Sequence, residues 1–264
     1  MKSTTLAAAI VLAALAGTAQ AQDLSYVPGV YQYQLATEMH TKQEMMGQTQ
    51  EMHRAASQFI TLKLDRKSAD ALGFSITVDS TRTDSSSGPV PASEGKLVGK
   101  TVTGTVSPRG RILTFSAPVD SAVTEAEFRG LRTFFVRLPD KNGRGAMIVD
   151  TLADTIKTNG MEIKQSVVMT STVLGDTTID GQRAIILERR GNLTMSGEGQ
   201  QGGQELVLDG TGTVQGHIFV GASGGVLGGR MMNEAQMNVA VPGAGLTIPV
   251  VQSSTSTIAR LPSK

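Results

Sequence analysis

The stretch ELVLDGTGTVQGHIFV, which runs from Glu205 to Val220, and the stretch VLGGRMMNEAQMNVAV, from Val226 to Val241, decide the fold. Apolar and polar residues alternate along both stretches, and this period of two is typical of β-strands with one buried face. Glycine is more frequent in them than hairpin turns require, and glycines inside strands allow a sheet to bend or bulge. We therefore expect a strongly curved antiparallel sheet.

The same alternation extends over most of the chain. Further strands are predicted over Tyr31–Leu35, Phe59–Leu64, Phe74–Val78, Met161–Leu174, Arg183–Met195 and Leu246–Ala259. The tripeptide Pro108-Arg109-Gly110 predicts a hairpin between Val102–Val106 and Ile112–Phe115, because proline pre-sets the turn and glycine supplies a positive φ. A Ser/Pro/Gly-rich segment near residues 84–95 predicts a flexible loop.

One segment departs from the β pattern. Thr124-Glu125-Ala126-Glu127 is a capping box, which starts helices, and Pro139 ends the segment. The apolar side chains that follow the box share one face at helical spacing, and they are Phe128, Leu131, Phe134 and Phe135. The sequence therefore predicts a mainly β protein, with a large, half-barrel-like, curved antiparallel sheet and one short amphipathic helix near residues 124–137 packed on it.

The N-terminus predicts export. Lys2, the apolar run Leu6–Ala16 and the small residues around Gln20 form a secretory signal peptide over residues 1–21, which is cleaved to leave a single β-rich domain over residues 22–264. No later segment has the 18 or so uninterrupted apolar residues of a membrane-spanning helix. The chain has no cysteine, which excludes disulfides and a lipid-modified N-terminal cysteine. We expect a protein of the periplasm or the medium.

Charge and motifs argue against several functions. The chain has 24 Lys and Arg against 23 Asp and Glu, and no basic cluster is longer than Arg189-Arg190, so nucleic acid is not an expected partner. Residues Gly221–Gly225 match the G-x-S-x-G pattern of serine hydrolases, but strand-like sequence follows and no histidine lies beyond His217. We predict a protein that is not an enzyme and has no cofactor or metal. A hydrolase built from scattered Asp and Arg stays a minor alternative.

Methionine and histidine cluster around the first predicted turn, as Met39, His40, Met45, Met46, Met52 and His53. Such soft ligands suit copper, which is the second minor alternative. A turn at Gly47-Gln48 would pair Met45 with Gln50 and Gln43 with Met52. In that register three methionines share one face and both histidines lie on the other with Met46, so the ligand set is divided.

The layout resembles a known group. A strand-rich exported chain with one aromatic helix midway, the stretch TVLGDTTIDGQRA at Thr172–Ala184, and the strand and glycine turn of Gly212–Gly225 resemble the half-barrel proteins around LolA, LolB and RseB. They also resemble uncharacterised bacterial exported families with the same layout. The resemblance implies a curved sheet whose concave face, partly covered by helix, holds an apolar ligand such as an acyl chain.

The leading hypothesis is therefore an exported, non-catalytic binding protein for a hydrophobic ligand, either a lipid or an acyl chain. The candidate lining residues are those of the predicted helix, Phe128, Leu131, Phe134 and Phe135. The alternative is an envelope scaffold, in which the helix completes the core and exposed strand edges recruit a partner protein.

Overall fold

The computed structural model of the chain describes residues 24–45, 47–84, 94–118, 128, 130–140, 143–158, 160–221 and 225–262. The predicted signal peptide, the capping box and most of the Ser/Pro/Gly loop lie outside these residues. Within them, no helix is long and apolar enough to cross a membrane.

Eleven antiparallel strands form one sheet in the described part of the chain. They are β1 (Gly29–Met45), β2 (Gln48–Arg66), β3 (Leu72–Thr83), β4 (Thr101–Val106), β5 (Ile112–Ser116), β6 (Met147–Thr158), β7 (Met161–Ile179), β8 (Gln182–Gln201), β9 (Gln204–Gly221), β10 (Val226–Val241) and β11 (Leu246–Arg260). Every predicted strand and the β4–β5 hairpin are confirmed, and most strands are longer than predicted.

The spatial order of the strands is β5-β4-β3-β2-β1-β11-β10-β9-β8-β7-β6, so the sheet is unclosed and β5 and β6 are its edges. The chain passes from one edge to the other between Ser116 and Met147. This crossing segment is the only connection that does not join neighbouring strands in the sheet.

The two faces of the sheet differ in polarity. We call the face that carries Tyr33 the inner face and the opposite one the outer face. At one end of the inner face, called the core end, residues of the sheet are buried together with Leu24, Tyr26, Phe128, Leu131, Phe134, Phe135, Val136 and Leu138. Tyr33, Ile60, Ile76 and Leu187 are among the side chains buried there. The opposite end, which holds the β1–β2, β6–β7, β8–β9 and β10–β11 turns, is called the distal end.

The predicted helix is not confirmed. Gly130–Phe134 forms a short 3-10 helix, and residues 119–127 and 129 lie outside the described residues. The backbone beyond Phe134 is engaged in tertiary hydrogen bonds instead of helical ones. Val136 N–H donates to the Tyr26 hydroxyl at 2.7 Å, and Leu138 N–H donates to the carbonyl of Arg109 at 2.8 Å. These bonds replace the helical bonds that local spacing predicted.

The predicted register of the β1–β2 hairpin is wrong by two residues. Met45 pairs with Gln48 and Gln43 with Gln50, so the turn lies between Met45 and Gln48. Gly47 has φ +77°, which a two-residue hairpin turn favours and which glycine adopts without strain. Because side chains alternate with a period of two, a shift of two leaves each side chain on its predicted face. His40 and His53, a direct pair, still lie on the outer face.

A candidate apolar trough on the inner face

The distal part of the inner face carries apolar side chains among polar ones, such as Gln165, Asn233 and Gln252, and is partly exposed. Moving from the core end toward the distal turns, inner side chains leave the buried cluster, and Met52 and Leu152 are more than half exposed. The apolar residues of this part include Met39, Ile163, Val167, Leu193, Met195, Val214, Met237, Val239, Ile248 and Val250. The outer face of the same strands carries charged residues, such as Lys42, Glu51, Lys164, Glu198, Asp209 and Glu234, and also exposed apolar residues, such as Val149, Val168 and Val251.

Glycines line the seam between β8 and β9 on this inner face. Six successive cross-strand pairs each combine one glycine with one larger residue, namely Arg189/Gly216, Gly191/Val214, Leu193/Gly212, Met195/Gly210, Gly197/Leu208 and Gly199/Leu206. A Cβ at Gly210 would come within 2.8 Å of the carbonyl oxygen of Gln236, and one at Gly191 within 2.9 Å of that of Val168. The sheet therefore curves toward its inner face so strongly that neighbouring backbone leaves no room for side chains at these positions. We call the partly exposed distal part of this curved inner face the trough.

Two ion pairs join the crossing segment to inner-face carboxylates of β6. Arg137 Nη1 is 3.4 Å from Asp150 Oδ1, and Arg132 Nη1 is 3.7 Å from Asp154 Oδ1. Arg189 on β8 forms no ion pair with any described residue, and its Nε, like Arg132 Nε and Arg260 Nη1, is buried without a hydrogen-bond partner there. Burial lowers the pKa of the Arg189 guanidinium, while the nearby Tyr26 and Asp150 act in the opposite direction.

The crossing segment bridges the two edges of the sheet. The guanidinium carbon of Arg132 lies 4.4 Å from the ring centre of Phe115 on edge strand β5, and the same side chain reaches Asp154 on edge strand β6. A cation over an aromatic face and an ion pair are both attractive. The sheet is thus unclosed by hydrogen bonds but bridged by side chains at this level.

The four predicted lining residues come together at the core end. Phe128, Leu131, Phe134 and Phe135 are each at most 7% exposed. The ring centre of Phe134 is 5.0 Å from that of Tyr33, and the ring centre of Phe135 is 4.7 Å from that of Phe74. These side chains fill the protein's own core and close one end of the trough.

The sequence analysis missed Arg189 as a site residue. It was noted only as half of the dipeptide Arg189-Arg190, which on a strand points to opposite faces. Arg189 lies two residues from Leu187 and four from Leu193 on the same strand. This spacing is the signal that places it on the inner face, since residues two apart share a face. Arg54, Asp150, Asp154 and Arg260 also occupy inner-face positions, so charge alone does not distinguish Arg189.

The candidate metal and hydrolase residues are not assembled into sites in the described part of the chain. His40 and His53 have ring centres 4.3 Å apart in an outer-face depression of about 280 Å³, which Lys42, Glu51 and Ser253 also line. Met39 lies on the inner face, where its sulfur accepts a hydrogen bond from Gln252 Nε2 at 3.0 Å. No group of three His, Cys, Asp or Glu that could hold a metal is found among the described residues.

The G-x-S-x-G match joins two strands. It follows β9 and precedes β10, and Gly221 N–H donates to the carbonyl of Gly225 at 3.0 Å. Residues 222–224 lie outside the described residues. A serine hydrolase elbow connects a strand to a helix, and this segment leads into a strand instead.

Comparison with known proteins does not assign the chain to a family. No family model and no curated protein matches the chain. Among solved structures, the chain is similar to a DUF1329 family protein from Desulfovibrio piger, with 12% sequence identity, a TM-score of 0.19, and coverage of 86% of this chain and 83% of that one. A likeness at this TM-score carries no argument about fold or function.

Proposed function

We propose that this protein is an exported, non-catalytic binding protein that holds the hydrocarbon part of a lipid or acyl-chain ligand in the inner-face trough. The observation that carries the proposal is the set of apolar side chains that the distal inner face leaves outside the buried core, of which Met52 and Leu152 are more than half exposed. The inner face is suited to a ligand, because each CH₂ group removed from water contributes about 0.8 kcal/mol.

The glycine seam supports the same function. In a sheet that curves inward, large side chains at every position of β8 and β9 would fill the space above the seam. One glycine in each of the six pairs removes a side chain from the seam, and the backbone of a neighbouring strand approaches that position closely. The seam therefore presents backbone to a thin hydrocarbon chain that lies along it.

The closed end belongs to the proposed site as well. Phe128, Leu131, Phe134 and Phe135 fill the core end, so in this proposal they stop the ligand at the depth of the crossing segment and form the wall against which it ends. The export signal over residues 1–21 is part of the proposal, since it would place the protein in the periplasm or the medium.

The first test is mass spectrometry of lipid extracts from mature protein purified without detergent from its native host. A reproducible, near-stoichiometric lipid is the expected result. A blank extract, together with no binding of a fluorescent fatty-acid probe, would contradict the proposal.

A matched pair of variants tests where the probe binds. Val214 lies on the inner face of β9 and its neighbour Thr213 on the outer face. We expect Val214→Asp to weaken probe binding by at least tenfold, because it places a charge in contact with hydrocarbon. Thr213→Asp should leave binding unchanged, and equal effects of the two variants would exclude the inner face.

Edge strand β6 supports a second candidate function, recruitment of a partner protein. Met147, Val149 and Leu152 on β6 are each more than half exposed, and an edge strand offers unpaired backbone groups to another chain. Pull-down from envelope extracts distinguishes the two functions. A lipid carrier returns lipid, whereas a scaffold returns one protein in fixed stoichiometry.

A further inference from the structure

We propose that the ligand is a single-chain anionic amphiphile, and that Arg189 binds its carboxylate or phosphate group while its hydrocarbon chain follows the β8–β9 seam. This inference rests on the proposed function and specifies the class of ligand. Three observations carry it, namely the position of Arg189, the local charge balance and the course of the seam.

Arg189 occupies the head of the seam. Its partner on β9 is Gly216, which has no side chain to contact it. Its partner on β7 is Ser171, the one buried polar residue of the described part of the chain, at 4% exposure. An anion at this position would meet the guanidinium of Arg189 with the hydroxyl of Ser171 beside it.

The local charges leave Arg189 uncompensated. Asp150 is the acidic side chain that acts on Arg189, and it is already paired with Arg137 of the crossing segment, whose Nη1 is 3.4 Å from its Oδ1. Arg189, Arg137 and Asp150 therefore carry two positive charges and one negative charge. Buried cations are normally paired, and an orphaned guanidinium nitrogen is costly because it has lost water without gaining a partner. Burial also lowers the pKa of Arg189, as expected of a cation without a partner.

The seam leads away from Arg189 as an apolar path. The next pairs along it are Gly191/Val214, Leu193/Gly212 and Met195/Gly210, none of which is charged. From residue 189 to residue 199 an extended strand covers about 33 Å. The hydrocarbon core of a bilayer is about 30 Å thick and consists of two opposed chains, so one acyl chain spans about half of it. The seam is therefore longer than one acyl chain. A cation at the head of such a path is complementary to a headgroup and tail.

The test compares probes that differ only in charge. We would measure the affinities of cis-parinaric acid and of the corresponding neutral alcohol by fluorescence, for the whole mature protein. The acid is expected to bind at least tenfold more tightly than the alcohol, because a hydrogen-bonded ion pair strengthens binding by about that factor. In Arg189→Gln, the affinity for the acid should fall to the affinity for the alcohol, while the affinity for the alcohol is unchanged.

Arg190→Gln is the matched control. Arg190 is the next residue on β8, lies on the outer face and pairs with Glu188 at 2.6 Å, so its loss should leave both affinities unchanged. Arg189→Lys retains the charge and should keep part of the preference for the acid. Thermal unfolding of each variant establishes that it is folded before binding is measured.

The outcomes separate the two proposals. If neither probe binds the wild-type protein, the proposed function itself is wrong. If both bind equally, or if Arg189→Gln and Arg190→Gln behave alike, the trough binds hydrocarbon but Arg189 is not the anchor. If only Arg189→Gln removes the preference for the acid, competition by dodecanoate and by dodecyl phosphate identifies the headgroup. Dodecanol, the neutral competitor, should compete more weakly than both.

Discussion

The hydroxyl oxygen of Tyr26 accepts a hydrogen bond of 2.7 Å from the backbone N–H of Val136, and both residues are buried. The bond joins the beginning of the described chain to the crossing segment. The Tyr26 N–H in turn donates to the carbonyl of Pro108 at 2.8 Å, in the β4–β5 turn. Residues 24–26 therefore hold the segment that closes the core end.

Removing this hydroxyl should destabilise the protein. Tyr26→Phe leaves the Val136 N–H buried without a partner, and we expect a loss of about 1–3 kcal/mol in the free energy of unfolding, measured by denaturant titration. Tyr31→Phe is the control, because that hydroxyl bonds the carbonyl of Val27 in a partly exposed position and should cost less. A larger loss in Tyr31→Phe would contradict this assignment.

Stability should fall at alkaline pH. Burial raises the pKa of Tyr26 and of Tyr33 well above the usual 10.0, so the unfolded state releases these protons first. The stabilisation is complete below pH 10 and decreases as pH rises above it, by about 1.4 kcal/mol per pH unit for each tyrosine. Denaturant titration between pH 9 and pH 11, as a rough range around the usual tyrosine pKa, tests this. A Tyr26→Phe variant should show a shallower decline, and an equally steep one would be unexpected.

The curvature of the sheet should depend on its seam glycines. A Cβ at Gly212 would clash with the carbonyl oxygen of Glu234 and lie 3.2 Å from the Cβ of Ala235, so Gly212→Ala should destabilise the protein by about 1–3 kcal/mol. Gly143→Ala is the control, since nothing lies within 4 Å of the added atom and its φ is not positive. Thermal unfolding compares the two, and equal melting temperatures would refute the steric argument.

The bridge between the two sheet edges should restrain them. We expect Arg132→Ala to increase hydrogen exchange in β5 and β6, because Phe115 and Asp154 lose their shared contact. Arg183→Ala removes the exposed ion pair with Asp176 at the β7–β8 turn and should not change exchange at either edge. Exchange followed by mass spectrometry resolves the two strands.

Copper(I) should not bind at the first hairpin. The methionine Met39 lies on the inner face and the pair His40 and His53 on the outer one, so one ion does not reach both kinds of ligand. Isothermal titration with Cu(I) is expected to give no saturable heat. Saturable binding that is lost in His40→Ala would show that the histidines form a site with a partner outside the described residues.

Much of the sheet could be predicted from local pattern. The strands of β8 to β11 were predicted within a few residues at most ends, because alternation with a period of two reports burial on one face. The curvature followed from the glycines inside β8 and β9. The hairpin register at Gly47 was wrong, since several two-residue turns fit the same apolar pattern.

The helix prediction shows the limit of local pattern. Phe128, Leu131, Phe134 and Phe135 are buried as their apolar character suggests. Their helical spacing did not decide the backbone, because Gly130 weakens a helix and the groups of Val136 and Leu138 bond Tyr26 and Arg109. Partners that are distant in sequence outweighed the local preference.

The amino-acid sequence by itself determined that the chain forms long antiparallel strands with one apolar face and that glycines let the sheet curve. These properties depend on residues one or two positions apart. Only the tertiary structure decided that β5 and β6 are the edges, that the crossing segment closes one end of the inner face, and that Arg189 lies unpaired at the head of the glycine seam. Those features depend on which strands lie side by side, and strand order is set by contacts between residues far apart in the chain.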